Sequence, residues 1–333
     1  MSKTEYFFLG FEFFGNMISL LLTRRLFSSG IGRNIGFIGI GNMGSRMAMN
    51  ILKKNDSGKL YIYDKFTGSD GFKTLISGGG VPCDVPDMVD VCDVLISMVP
   101  ASSHVEELYR GSLLPALKNR EKPAYLIECS TIDPEVSRSL NAEVRSLGHF
   151  MIDAPVSGGI KGAEAGTLTF MVGSSLRVSD FEAQDQFQST LRSMGVPIYC
   201  GAPGQGLSVK LCNNLILGSQ MLGVAEGYRL AKTLGVDLHT FNQIVNKSTG
   251  QCWTSQKYNP VPGLMENVPA ARGYTNGFQT DLMLKDLSLA KSAANAHNCP
   301  VPLTEFAANE YAKISKAGKG NFDFGVCYQT TSS

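Results

Sequence analysis

Histidine is scarce in this chain: 333 residues include only His104, His149, His239 and His297. None of the four lies in a recognisable catalytic motif, so each reads as structural or solvated rather than as a base. Cysteine is scattered: the eight residues form no CxxC pair and no Cys/His cluster at metal-ligand spacing. That excludes a zinc module or a disulfide scaffold and favours reduced, mostly buried thiols inside a cell. An excess of one charge is also missing, with 30 basic against 29 acidic residues and a net charge of +1. Without a basic stripe there is no electrostatic footprint for nucleic acid. Long apolar runs are absent too, and the one near the start is too short to span a membrane. No internal repeat or low-complexity segment is apparent. What remains is an ordinary globular composition, 43% hydrophobic and 18% charged. A chain of this length normally makes two domains and buries a sizeable core.

Residues 1–33 do not read as domain structure. The stretch from Met17 through Leu22, Arg24, Arg25 and Leu26 to Ser29 is basic, apolar, serine-containing and free of acids. That composition suits a mitochondrial transit peptide. Glu5 and Glu12 fit a presequence poorly, so Met17 is expected to be the effective start, with an upstream extension before it. Mass-spectrometric detection of precursor peptides from Met1–Asn16 would overturn that start.

Asn34-Ile35-Gly36-Phe37-Ile38 reads as a buried strand running into Gly39-Ile40-Gly41-Asn42-Met43-Gly44, and Met43 to Lys54 follows as a helix. A GxGxxG match alone is weak. Here a strand precedes it, a helix follows, and a second strand, Leu60-Tyr61-Ile62-Tyr63, ends at Asp64. That is the context of a dinucleotide-binding turn. The glycines let a pyrophosphate approach the backbone at a helix start, and Asp64 can accept hydrogen bonds from the adenosine ribose while repelling a 2′-phosphate. NAD is therefore expected rather than NADP.

Strand and helix go on alternating. Asp93 to Pro100 and Pro123 to Thr131 are strands, and Asp133-Pro134-Glu135 signals a helix start with Ser130 or Thr131 available as cap. A helix over Glu135–Leu147, strands at Phe150–Ile152 and Leu168–Val172, a helix over Gln184–Met194 and a strand over Val196–Cys200 complete the pattern. In open sheets of this kind ligands bind beyond the carboxyl ends of the strands. Val99, Pro100, Thr131 and the turn after Asp153 lie at such ends. In that turn Ser157-Gly158-Gly159 exposes consecutive backbone N–H groups beside a hydroxyl, a concavity suited to a carboxylate. Asp153 reads as a terminal cap rather than a reactive acid.

The stretch from Gln205 to about Leu234 has no proline, and Leu207, Leu211, Leu215, Met221, Leu222 and Ala225 recur at helical spacing. A helix of that length spans ~45 Å, enough to join two domains. Lys210 and Asn214 share one face near its start, a cation and an amide able to grip a small oxygen-rich molecule. Beyond it strand signals stop. Helices are expected over Asp237–Asn246, Asp281–Ala290 and Thr304–Lys316, with an ordered loop from Gly250 to Gly263.

Phe37 to Gly44, Asp153 to Gly159 with Gly166-Thr167-Leu168, Gly206 to Asn214 and Lys285-Asp286-Leu287 stand in this order in the chain. In these four blocks the chain from about Asn34 to Gln329 resembles the β-hydroxyacid dehydrogenases. Cys252-Trp253-Thr254-Ser255, Tyr258 to Gly263 and, more loosely, Cys129 to Pro134 resemble the members acting on 3-hydroxyisobutyrate. His104 departs from the pattern, standing where the family often has Asn, and the tail after Asn321 matches only through Phe322-Asp323-Phe324.

The resemblance implies an α/β Rossmann-like NAD-binding domain (34–202) joined by the long helix to an all-helical domain (203–333). It implies Lys210 as the catalytic residue and Ser157, Gly158, Gly159 and Asn214 as substrate contacts. Gly39, Ile40, Gly41, Asn42, Met43, Gly44, Asp64, Val99, Pro100, Thr131 and Lys285 would hold the cofactor. The implied reaction is NAD-dependent oxidation of 3-hydroxyisobutyrate to methylmalonate semialdehyde, in the mitochondrial matrix, as part of valine breakdown. Phe278 and Trp253 are expected to serve in packing. No metal, nucleic acid or membrane partner is expected, and a homodimer or homotetramer is. The rivals are relatives acting on tartronate semialdehyde, glyoxylate or succinic semialdehyde, then a 6-phosphogluconate-type enzyme, and, from another class, a non-catalytic NAD-binding module.

Overall fold

The computed structural model describes residues 33–55 and 58–329. The expected leader, Met17 included, lies outside these residues but for Arg33. Apolar four-residue runs that bury every side chain make the central strands: β1 (Ile35–Ile38) and β4 (Val94–Ser97) are wholly buried, as parallel strands covered on both faces must be. With β2 (Leu60–Tyr63), β3 (Val81–Pro82), β5 (Tyr125–Glu128), β6 (Phe150–Asp153), β7 (Val156–Ser157), β8 (Leu168–Ser174) and β9 (Gly195–Gly201) they form one nine-stranded sheet. Its order is β3-β2-β1-β4-β5-β6-β8-β7, with β9 on β8. From β3 to β6 every pairing is parallel; β8 then runs antiparallel to β6 and β7.

Two apolar clusters sandwich the sheet. One gathers Phe37, Met47, Ile51, Ile96, Ile127 and Phe187, the other Ile38, Leu95, Tyr109, Leu126, Leu140 and Leu207. Helix α1 (Asn42–Lys54) puts Met47, Ala48 and Ile51 into the first. Three helices not marked in the sequence pattern cover the sheet between β2 and β5: α2 (Asp70–Ser77), α3 (Val85–Val91) and α4 (Ser102–Leu108). The last runs on through a π turn, Tyr109–Leu113, into Leu114–Leu117. Helix α5 (Pro134–Ser146) is capped by Asp133, whose Oδ1 accepts from Glu135 N at 2.8 Å. Ser130 and Thr131 do not cap it; the Ser130 hydroxyl accepts instead from Val99 N at 2.8 Å. Helices α6 (Gly159–Ala165), α7 (Val178–Ala183) and α8 (Asp185–Met194) complete this part.

Helix α9 (Gln205–Thr233) has 29 residues, or ~43 Å at the usual rise. Asp153, fully buried at the end of β6, fixes where it starts: its carboxylate accepts from Gly204 N at 2.7 Å and Leu207 N at 3.0 Å. A carboxylate here satisfies amides that would otherwise have no partner and complements the helix dipole. Asp153 ends its strand as expected, but the amides it caps are those at the start of α9, 51 residues on. A Cβ on Gly206 would lie 2.0 Å from Met171 O, so only glycine lets the helix start this close to the sheet.

After α9 come α10 (Leu238–Val245), α11 (Trp253–Gln256), α12 (Thr280–Ala296) and α13 (Pro302–Ile314), with an isolated bridge between Gln279 and Asp323. The fold is therefore a parallel-sheet Rossmann-like unit followed by a helical one. A third apolar cluster, with Met221, Ala225, Met283, Leu287, Tyr311 and Phe324, holds the helices together. Phe278 joins it edge-on to Phe324, whereas Trp253 stacks on Tyr258 and is 48% exposed, not buried in a core. Among the described residues no helix is long and apolar enough to cross a membrane.

Candidate active site

The buried face of α9 carries Leu207, Lys210, Leu211, Asn214, Gly218, Met221, Ala225 and Tyr228. Those steps of three and four mark a continuous stripe that should be apolar, yet two of its positions are a lysine and an asparagine. At Gly218 the stripe meets α12: a Cβ there would lie 3.0 Å from Met283 Sδ and 3.2 Å from Leu287. That close approach brings Asp286 to Asn214, whose Nδ2 donates to Asp286 Oδ2 at 2.5 Å. Asn214 Oδ1 in turn accepts from Asn213 at 3.0 Å.

The other Asp286 oxygen is buried and takes no hydrogen bond, although Lys285 Nζ stands 3.2 Å away. The two form an ion pair without a hydrogen bond. Lys285 Nζ donates to Thr131 O at 2.5 Å and so ties the helical unit to the loop after β5. Lys210 is only 9% exposed, and its ammonium makes no hydrogen bond or ion pair among the described residues. Burial pushes its pKa below the ordinary lysine value, Asp286 pulls it back up and Lys285 pushes it further down.

At the other end of the cleft the glycine turn has the shape a dinucleotide needs. Gly39 sits at φ +95°, where a Cβ would meet Met98 O at 2.2 Å, and a Cβ on Gly44 would meet Gly39 O at 1.9 Å. Beside Gly41 there is open space, leaving that backbone approachable. Asp64 braces the turn, its Oδ2 accepting from Ile40 N at 2.6 Å and Oδ1 from Phe66 N at 2.7 Å. It also lines a cavity of about 420 Å³ with Thr67, Phe72, Pro82, Asp84 and Asp87, and among the described residues no lysine or arginine faces that cavity. A wall with three carboxylates accepts ribose hydroxyls and opposes a 2′-phosphate. These residues fit a nicotinamide dinucleotide.

The structure joins Thr131 to Lys285 directly and Val99 to the Ser130 hydroxyl, so the two loops beyond β4 and β5 form one wall. Pro100 is exposed at its rim, and His104 lies farther on in α4, exposed. Ser157 is not in a free loop: it ends β7, paired with Thr169. The turn that follows it is open, Gly158 at φ +132° and Gly159 at φ +62° with clear space beside it. No hydrogen bond links Ser157–Gly159 to Lys210 or Asn214 among the described residues.

Sequence reasoning missed Asp286 and Glu128. Asp286 sits among Met283, Leu287 and Ala290, at the spacing of a buried helix face, and an acid there signals a partner. Glu128 ends the apolar run Tyr125-Leu126-Ile127 and is fully buried beneath the loop carrying Thr131. Among the described residues no group of three or more His, Cys, Asp or Glu side chains could hold a metal.

Two family models match the chain. Residues 34–201 match the NAD binding domain of 6-phosphogluconate dehydrogenase, and residues 204–330 match a domain described as NAD-binding of NADP-dependent 3-hydroxyisobutyrate dehydrogenase. The chain is 40% identical over 316 residues to mitochondrial 3-hydroxyisobutyrate dehydrogenase of Drosophila melanogaster, with 94% of each protein covered. To the human enzyme of the same name it is 41% identical over 300 residues, covering 89% of this chain and 85% of that one. A solved structure of Mycobacterium tuberculosis 3-hydroxyisobutyrate dehydrogenase with L-serine superimposes with a TM-score of 0.79 at 34% identity, covering 90% of this chain and 99% of the other.

Proposed function

The chain belongs to the 3-hydroxyisobutyrate dehydrogenase family, and from that premise we propose that it oxidises 3-hydroxyisobutyrate to methylmalonate semialdehyde with NAD, in mitochondria. The observation that carries the reading is Lys210, a lysine in the buried stripe of α9 whose ammonium makes no hydrogen bond or ion pair among the described residues and feels Asp286 and Lys285 only through their charges. Nothing in packing explains such a residue; a substrate hydroxyl does. NAD supplies the hydride acceptor when bound. Lys210 takes the proton of the substrate hydroxyl, and its lowered pKa makes it a better base near neutrality than a free lysine at ~10.4. Asn214, held by Asp286, orients the substrate's oxygens. The open backbone of Ser157–Gly159 receives the carboxylate, which places the hydroxyl-bearing carbon. The carboxylate-lined cavity at Asp64 favours NAD over NADP, although one matching family model is described from an NADP-dependent enzyme. A mitochondrial location is supported by the relatives' names and by the basic, acid-free stretch after Met17.

The test is an assay of dinucleotide reduction with 3-hydroxyisobutyrate, 3-hydroxypropionate, serine, glycolate and glycerate. The expected outcome is highest kcat/KM with 3-hydroxyisobutyrate, and NAD preferred over NADP by about a hundredfold, as like-charge contacts cost several kcal/mol. Serine belongs in the panel because the M. tuberculosis relative was solved with it. Higher kcat/KM with any other substrate would reassign the enzyme within its family. Cofactor binding without turnover of any substrate would replace this reading with that of a binding module.

A further inference from the structure

Glu128 is the last residue of β5, fully buried, and no cation pairs with it among the described residues. Its Oε1 accepts from Ser130 N at 2.8 Å and its Oε2 from the Ser97 hydroxyl at 2.5 Å. Ser97 ends β4 and lies 3.3 Å from the Tyr109 hydroxyl, while Ser130 Oγ accepts from Val99 N at 2.8 Å. One carboxyl group therefore ties together the loops that carry Val99 and Thr131, and Thr131 is where Lys285 of the helical unit attaches. In the sheet order, β2 with Asp64 and β1 with the glycine turn lie to one side of β4 and β5. A dinucleotide with its adenosine at Asp64 and its pyrophosphate at the glycine turn has its nicotinamide half beyond β4 and β5. In that placement Glu128, buried at the carboxyl end of β5, lies beneath the nicotinamide half.

We propose that Glu128 is a positioning residue for the nicotinamide end of the cleft, and that its negative charge accompanies the oxidised cofactor. NAD binding releases the Glu128 proton to solvent, and NADH binding does not. The proposal rests on the dehydrogenase reading above. Its physical basis is a buried carboxyl whose partners suit both protonation states. Ionised, Glu128 accepts from Ser97 and Ser130. Protonated, it donates to Ser97, which then donates to Tyr109, and Ser130 N remains satisfied. The titratable groups facing it are Tyr109 and Cys129, both held neutral by burial, and nearby carboxylate charge pushes both further up. Burial pushes Glu128 itself up to about 7, against the pull of hydrogen bonds from Ser130 and Ser97. A positive ring nearby tips such a group toward its carboxylate; a neutral ring leaves it protonated.

The test is calorimetric titration of the substrate-free protein with NAD and with NADH, in two buffers of different ionisation enthalpy, from pH 6 to pH 8. The unaltered protein should bind NAD about tenfold more weakly at pH 6 than at pH 8, a size expected of one partly screened charge, with NADH nearly unchanged. Proton release on NAD binding should peak between these limits. Glu128→Gln preserves the hydrogen-bond geometry without the charge, its amide donating to Ser97 and its carbonyl accepting from Ser130. It should lose most of the pH dependence and bind NAD about tenfold more weakly at pH 8, with NADH unchanged. Any release that persists in Glu128→Gln belongs to Lys210, so the difference between the proteins is the Glu128 contribution. Ser130→Ala removes a hydroxyl that holds the Glu128 pKa down, so it should weaken both cofactors and move proton release to higher pH without abolishing it. The proposal is overturned if Glu128→Gln releases as many protons as the unaltered protein, or weakens NAD and NADH alike. If the variant does not fold, a pH-independent NAD affinity of the unaltered protein overturns it equally well. Failure of the unaltered protein to bind either cofactor would instead sink the dehydrogenase reading, and this proposal with it.

Discussion

Replacing Lys210 with alanine lowers the rate of 3-hydroxyisobutyrate oxidation about a thousandfold, within the range that a positioned general base supplies, and leaves NAD affinity within a few-fold. The effect is assigned to chemistry because the amine, in the buried stripe between Leu207 and Asn214, makes no hydrogen bond or ion pair among the described residues. Lys210→Arg keeps the positive charge but stays protonated at every accessible pH, so it should be as slow as the alanine variant. Lys210→Met fills nearly the same volume without the amine. Its melting temperature should equal or exceed that of the unaltered protein near neutral pH, because a buried unpaired ammonium costs stability. The sign follows from the lowered pKa. The folded state disfavours the charged amine, so its cost is full below the folded pKa and disappears as pH rises toward the unfolded value of ~10.4. The methionine variant's advantage should fade over that same window. Steady-state kinetics and melting curves on the three variants decide it: turnover surviving in Lys210→Ala removes the lysine from the mechanism.

Much of this site was legible in the chain because its parts are local. The glycine turn needs positive φ and close backbone contact within a few residues, and only glycine permits both at Gly39. Lys210 and Asn214 share a helix face through spacing alone. What escaped was made by contacts across the chain. Asp286 meets Asn214 72 residues away because Gly218 lets two helices touch. Glu128 looks like the polar end of an apolar strand until Ser97, from the neighbouring strand, closes on it. The cap of α5 was misplaced for a related reason. Ser130 and Thr131 are suitable residue types, but Ser130 is already engaged by Val99 and Glu128, leaving Asp133 nearest the helix. The short helices α2 and α3 each bury only two or three residues, too few to establish a period by pattern alone.

Asp286 and Lys285 should shift the pH dependence of turnover in opposite directions. Asp286 raises the pKa of Lys210 and Lys285 lowers it, both acting on a base that works only when neutral. In the oxidising direction the rate climbs with pH as Lys210 loses its proton. Removing the charge of Asp286 in Asp286→Asn lowers that pKa further, so the climb should begin at lower pH. Lys285→Gln removes the opposing charge, and the climb should begin at higher pH. Asp286→Asn still offers Asn214 an acceptor oxygen, so its loss of kcat/KM should be modest. Asp286→Ala takes away the acceptor of the buried Asn214 Nδ2, at ~1–3 kcal/mol, and should lower kcat/KM by about ten- to a hundredfold. Thr131 also loses its contact to the helical unit in Lys285→Gln, so that variant should show a raised KM for NAD as well. Profiles of kcat/KM against pH for the three variants separate the two roles. If Asp286→Asn and Lys285→Gln move the profile the same way, their charges do not act through Lys210. If only Asp286→Ala is impaired and neither profile moves, Asp286 serves to hold Asn214 and nothing more.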